Sequence, residues 1–181
     1  LANVITGGTA SGFLIGEGGD DTLKAGDASS YLYGGDGSDL LIGGAGDDDL
    51  QGDTMNSGPG TEPGNDTLDG GAGHDVMSGG AGDDYYFVEG DEIDTVVELD
   101  GEGTDTVETA DDDIVLGANI ENLVVTAQAE HIAVGNDLGN VITGGSGLGY
   151  LLGEGGDDTI YAGDVGSGLF GGDGNDLLQG G

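Results

Sequence analysis

The sequence predicts an all-β fold, a solenoid wound from short parallel strands. Three observations lead there: a strict nine-residue phase, a large apolar residue held at one place in each block, and a turn-forming run of Gly and Asp before it. Blocks begin at Gly7, Gly16, Ala25, Gly34, Gly43 and Gly52 and resume at Gly70 and Gly79 after one insertion. The pattern is Gly-Gly-x-Gly-x-Asp-x-U-x, with U apolar. Residues 34–42, 43–51, 70–78, 79–87 and 171–179 match it throughout, while 16–24 and 153–161 miss one Gly.

The strand comes from the eighth position, which reads Leu14, Leu23, Leu32, Leu41, Leu50, Leu68, Met77 and Tyr86. Three residues centred on U point U inward and its neighbours outward, because side chains alternate across a strand. The core is therefore a thin apolar column. The turn comes from the six residues before it, where Gly at the first, second and fourth positions is expected to supply positive φ and to let backbone carbonyls crowd together. Two blocks make one 18-residue coil with strands on opposite sides. Stacking coils at about 4.8 Å lines up the sixth-position carboxylates in two ladders.

Composition says what such ladders need. The chain has 181 residues, with 44 Gly, 37 Asp or Glu and Lys24 as its single Lys or Arg, for a formal charge of -36. A chain so charged repels itself, and a compact state requires cations held at the carboxylates. Cys is absent, which excludes disulfides and thiolate sites and leaves oxygen ligands for a hard cation. Calcium suits stacked turns, since it takes about six to eight oxygens in loose geometry where magnesium demands a tight octahedron. The acidic balance argues against nucleic acid and anionic membrane as partners. No apolar run of about 18 residues marks a membrane span, and no Sec-type leader is read in the sequence.

With five full matches in phase, the chain resembles the repeats-in-toxin (RTX) calcium-binding family over residues 7–87 and 144–181. The resemblance implies a right-handed parallel β-roll, calcium held between turns by sixth-position Asp and backbone carbonyls, and export by a type I secretion system. Carried onto this chain, the ligands are Asp21, Asp39, Asp66 and Asp84 on one ladder, Asp48 and Asp75 on the other, and Asp158 and Asp176 in a second copy. The second ladder begins with Gly12 and Ser30 in the sixth position. Calcium is expected between neighbours on the first ladder and between Asp48 and Asp75, with little binding around Gly12 and Ser30. On the strands after those two turns, Phe13, Ile15, Tyr31 and Tyr33 flank the inward Leu14 and Leu32 and point outward. They are expected to brace one rung against the next, with lateral self-association of copies as the alternative.

Residues 1–87 read as the roll, with a surface excursion at 54–63 marked by Pro and Gly. Residues 88–137 read as a β-rich spacer that continues the solenoid with longer rungs, its strand-like runs at Asp94–Glu98, Thr104–Thr109 and Ile120–Thr126. Residues 138–181 repeat the start of the roll: they align with 1–44 at an offset of 137 with 30 identities over 44 positions. Even the defects recur, Gly12 and Ser30 as Gly149 and Ser167. A longer tandem array is expected.

No catalytic site emerges. The runs Asp47–Asp49 and Asp111–Asp113 are read as solvated or calcium-bound, and His74 and His131, without a second His or Cys, as surface residues. The functional expectation is a non-catalytic, calcium-dependent structural module of a secreted or cell-surface bacterial protein such as an adhesin, surface layer or fibre, disordered in calcium-poor cytosol and folded by calcium after export. Its host or surface ligand stays unknown. The alternative is a C-terminal export and folding module of a secreted enzyme or toxin.

Overall fold

The computed structural model describes residues 1–53, 62–89, 94–163 and 166–181, in two compact units, Leu1–Thr104 and Asp105–Gly181. Most of the excursion expected at 54–63 lies outside the described residues. Among the described residues all regular structure is β, and every strand pairing is parallel.

In the first unit one wall runs β1 (Val4–Thr6), β3 (Thr22–Lys24), β5 (Leu40–Ala45), β7 (Thr67–Ala72) and β9 (Tyr85–Val88). The facing wall runs β2 (Phe13–Gly18), β4 (Tyr31–Asp36), β6 (Asp49–Gln51), β8 (Val76–Ser78) and β10 (Thr95–Val96). Successive strands in the chain alternate walls, which is what a nine-residue block with one strand dictates. Leu23 stands opposite Leu41 and then Leu68 and Tyr86; Leu14 stands opposite Leu32, Leu50 and Met77. All eight are buried, so the apolar column forms as expected. Each such side chain contributes about 1.5–3 kcal/mol on burial.

The second unit repeats the arrangement. One wall holds β11 (Thr106–Thr109), β13 (Asn122–Val125), β15 (Val141–Thr143), β17 (Thr159–Tyr161) and β19 (Leu177–Gln179), and the other β12 (Asp113–Val115), β14 (His131–Val134), β16 (Gly149–Gly155) and β18 (Gly168–Asp173). Longer rungs were expected in the spacer. Its described strands span two to four residues, and its registers, Val107 with Leu123, Leu123 with Ile142 and Ile114 with Ala133, depart from the step of 18 in both directions. The spacer thus differs from the roll in its turns, and its strands are no longer than the three to six residues of the roll's.

The turns refine the role assigned to glycine. Positive φ falls at the second and fourth positions, as at Gly35 (114°) and Gly37 (113°), and not at the first. The first position needs Gly for space: a Cβ on Gly43 would lie 2.6 Å from Asp48 Oδ2, and one on Gly70 would lie 2.5 Å from Asp75 Oδ2. Where the second Gly is missing, Glu17 and Glu154 hold the left-handed conformation at φ 78° and 76°, a strained region for a residue with a Cβ.

Candidate metal centre

The sixth-position residues sit just before the inward-pointing U, so the strand that buries U also draws them into the stack. Asp21, Asp39, Asp48, Asp66, Asp75, Asp84 and Asp158 are all buried, and Asp176, in the last described coil, is half-buried. One carboxylate oxygen of each has a fixed task. Asp39 Oδ1 accepts the N–H of Asp21, Asp66 Oδ1 that of Asp39, and Asp84 Oδ1 that of Asp66, each at 2.7 Å. On the other wall Asp48 Oδ1 accepts from Ser30 at 2.6 Å and Asp75 Oδ1 from Asp48 at 2.7 Å. In the second unit Asp158 Oδ1 accepts from Asn140 at 2.7 Å and Asp176 Oδ1 from Asp158 at 3.1 Å. Each carboxylate is thereby clamped to the coil before it.

The second oxygen is different. Oδ2 of Asp21, Asp39, Asp48, Asp66, Asp75 and Asp158 is buried with no hydrogen-bond partner among the described residues. Carbonyl oxygens of the next coil border the same spaces: the position a Cβ would take on Gly16, Gly52 or Gly153 lies 2.6 Å from Gly34 O, 2.7 Å from Gly79 O and 2.5 Å from Gly171 O, respectively, with the oxygen of Asp21, Asp66 or Asp158 against it too. Orphaned carboxylate oxygens facing backbone carbonyls fit a hard cation that accepts many oxygens. They fit nothing in the chain itself, whose single Lys24 is exposed.

Without a cation the arrangement is electrostatically poor. Burial first, then the neighbouring Asp84, Asp53 and Asp39, push the Asp66 carboxyl up to about 8 against the lowering effect of its hydrogen bond from Asp39. Burial and Asp21 raise Asp39 to about 6, and burial and Asp75 raise Asp48 to about 6. Asp75 and Asp158 are raised too, chiefly by burial. A buried carboxylate either takes a proton or a positive partner.

The second ladder opens without carboxylates. Ser30 Oγ donates to Ala28 O at 2.8 Å, and Gly12 has no side chain. In the second unit the matching places are Gly149 and Ser167, preceded by His131. His131 was expected at the surface; it is 2% exposed, because it occupies the inward sixth place of its coil, with Nδ1 3.2 Å from Ala129 O. His74 is exposed, and its backbone N–H donates to Asp47 Oδ1 at 3.1 Å.

That last bond belongs to an outer ladder the sequence reading missed. Fifth-position side chains accept the N–H of the fifth residue one coil on: Asp20 from Ser38, Asn65 from Asp83, Asp157 from Asn175, at 2.8–3.2 Å. The enrichment of Asp, Asn and Ser at this place was the available signal. The buried Asp53 carboxylate was also missed, as were the bonds of the Tyr86 hydroxyl, although Tyr86 itself was read in the inward column. Asp53, at a second position, accepts the Gly64 N–H at 3.1 Å and is pushed up to about 7 by burial, with Asp39 and Asp36 adding to it. Tyr86 OH accepts the Gly79 N–H at 2.5 Å and donates to Glu98, and burial beside Glu98 raises this phenol far above its usual range.

The family model of the RTX calcium-binding nonapeptide repeat matches residues 2–32, 15–50, 61–91, 134–164 and 169–181, well over half of the chain. The chain belongs to this RTX family. Its RTX repeats bind calcium, several ions to an array, and form a structural module of a secreted bacterial protein. Comparison with curated proteins and with solved structures returned no match. No helix among the described residues is long and apolar enough to cross a membrane.

Proposed function

We propose that Asp21, Asp39, Asp66 and Asp84 on one ladder, Asp48 and Asp75 on the other, and Asp158 and Asp176 in the second unit hold calcium between successive coils, and that this binding folds the chain after type I export to the bacterial surface. The observation that carries the reading is the row of buried Oδ2 atoms of Asp21, Asp39, Asp48, Asp66, Asp75 and Asp158, which have no hydrogen-bond partner among the described residues. Bound calcium supplies the positive charge those oxygens lack. The chain does the rest: the N–H donors on Oδ1 orient each carboxylate, the first-position Gly leaves room for it, and the strands hold successive turns in register. Where calcium is scarce the same oxygens oppose folding, which keeps the chain extended for export. Extracellular sites commonly bind with Kd of about 10⁻⁴–10⁻³ M, a range that separates cytosol from exterior.

The outward aromatics support rung-to-rung bracing. Phe13 and Tyr31 rings lie 5.8 Å apart and Tyr150 and Phe170 6.3 Å apart, while Tyr31 OH donates to Gln51 Oε1 at 2.6 Å. A role as the scaffold of an adhesin, surface layer or fibre follows from the duplicated unit. Circular dichroism during calcium titration tests the reading: β signal should rise with calcium and vanish in excess chelator. Equal structure in both conditions overturns it.

A further inference from the structure

We propose that the cavity beside His131 in the second unit binds a small organic molecule through a primary ammonium group, with His131 Nε2 as one of its acceptors. The cavity measures about 530 Å³ and lies along the wall of β12, β14, β16 and β18. That is a volume suited to a small molecule. None of the proposed calcium ligands lines it.

Glycine makes the space. A Cβ on Gly149 would lie 2.5 Å from His131 Nε2, and one on Gly168 would lie 2.8 Å from Tyr150 Cδ1. Gly149 stands opposite His131 and Gly168 opposite Tyr150, so each ring rests over the bare backbone of the coil that follows. In the first unit the residue matching Gly168 at the offset of 137 is Tyr31, and its ring packs against Phe13 instead.

His131 is the buried polar group that calls for a ligand. Its Nδ1 faces Ala129 O at 3.2 Å, an atom that only accepts, so Nδ1 carries the hydrogen and Nε2 of the neutral ring offers a lone pair. Nε2 is buried with no hydrogen-bond partner among the described residues, which costs free energy until a donor arrives.

The other lining groups select that donor. Asp112, Asp113 and Glu130 are exposed carboxylates on the same cavity, and carboxylates accept without donating. With Nδ1 committed to Ala129, the Tyr150 hydroxyl is the one lining side chain with a hydrogen to give. A neutral sugar carries acceptors as well as donors and would meet few partners here. An ammonium ion carries donors alone, with the charge that three carboxylates favour. Leu148 and Tyr150 give its apolar body a surface, and the face of Tyr150 attracts a cation. A bare metal ion fits less well, since among the described residues no three of these carboxylate and imidazole atoms come within coordinating reach of one another.

Proton NMR of the whole chain at neutral pH in saturating calcium tests this, because the chain has two histidines and the other, His74, is exposed. His74→Gln assigns their ring signals. Benzylamine should shift the His131 signals saturably, and benzyl alcohol, of the same shape without the charge, should bind about tenfold more weakly or less. Changing Asp113→Asn together with Glu130→Gln should weaken benzylamine about tenfold. Shifts at His131 no larger than those at His74, the mark of a diffuse cation atmosphere around an acidic chain, overturn the proposal. Equal binding of the alcohol, or an affinity unchanged in the double variant, overturns it too. If the double variant does not fold, the comparison of amine with alcohol on the wild-type chain decides.

Discussion

Asn140 and Asp158 occupy the same place in successive coils of one wall and differ by an amide nitrogen in place of a carboxylate oxygen. Around Asn140 every side-chain polar atom is served: Oδ1 accepts the Asn136 N–H at 2.8 Å, and Nδ2 donates to Ile120 O at 3.0 Å and Glu121 O at 3.3 Å. Around Asp158, Oδ1 accepts the Asn140 N–H, and Oδ2 is buried with nothing to accept. The fold is the same on both sides of the comparison. What differs is one oxygen per turn, and under the proposed function the requirement for a cation resides in that oxygen. The Asn140 turn carries its own donors to the carbonyls, so it closes without an ion.

The comparison can be broken most forcefully at the centre of the first ladder. Asp66→Ala removes a proposed ligand and leaves the buried Asp39 N–H without its acceptor; urea unfolding in saturating calcium should show a loss of about 3–5 kcal/mol. A loss near that of a surface substitution would mean that the ladder carries no ion. Asn140→Asp converts the complete turn into the incomplete kind. In chelator it should cost about 1–3 kcal/mol, the penalty of an unsatisfied buried group, and calcium should recover much of it. Equal losses with and without calcium would contradict the contrast drawn here.

Protons offer a gentler test. The folded-state carboxyls of Asp66, Asp39 and Asp48 are raised to about 8, 6 and 6, whereas an unfolded Asp titrates near about 3.9. The folded, metal-free chain therefore binds more protons than the unfolded one between these values, and its stability falls as pH rises through that window. Metal-free samples should gain β signal when taken from about pH 8 to about pH 4.5. With calcium present the trend reverses, since protons compete for the same oxygens. The smallest effect belongs to the outer face: Phe13→Ser should cost about 0.5–1.5 kcal/mol by thermal unfolding, with the calcium midpoint unchanged.

Much of this was legible in the residues. The period of nine gave the strands, the eighth-position column gave the core, and the sixth-position Asp gave the ladders, because side-chain alternation along a strand is a local rule that holds wherever the phase holds. Asn140 was within reach of the same phase, since residues 135–143 keep Gly first, Asn sixth and Ile eighth.

Other features needed the coils in contact. His131 is buried because the spacer keeps the inward sixth place after losing the Gly pattern that would reveal it. First-position Gly is kept for the volume of a carboxylate five residues on, which no φ preference discloses. Asp53 is buried with Gly64 donating to its carboxylate, a partner that lies well beyond it in sequence. The sequence by itself determined what repeats, since repetition is written in spacing. Only the tertiary structure decided which oxygens are left without a partner, since that depends on every donor the adjoining coils bring.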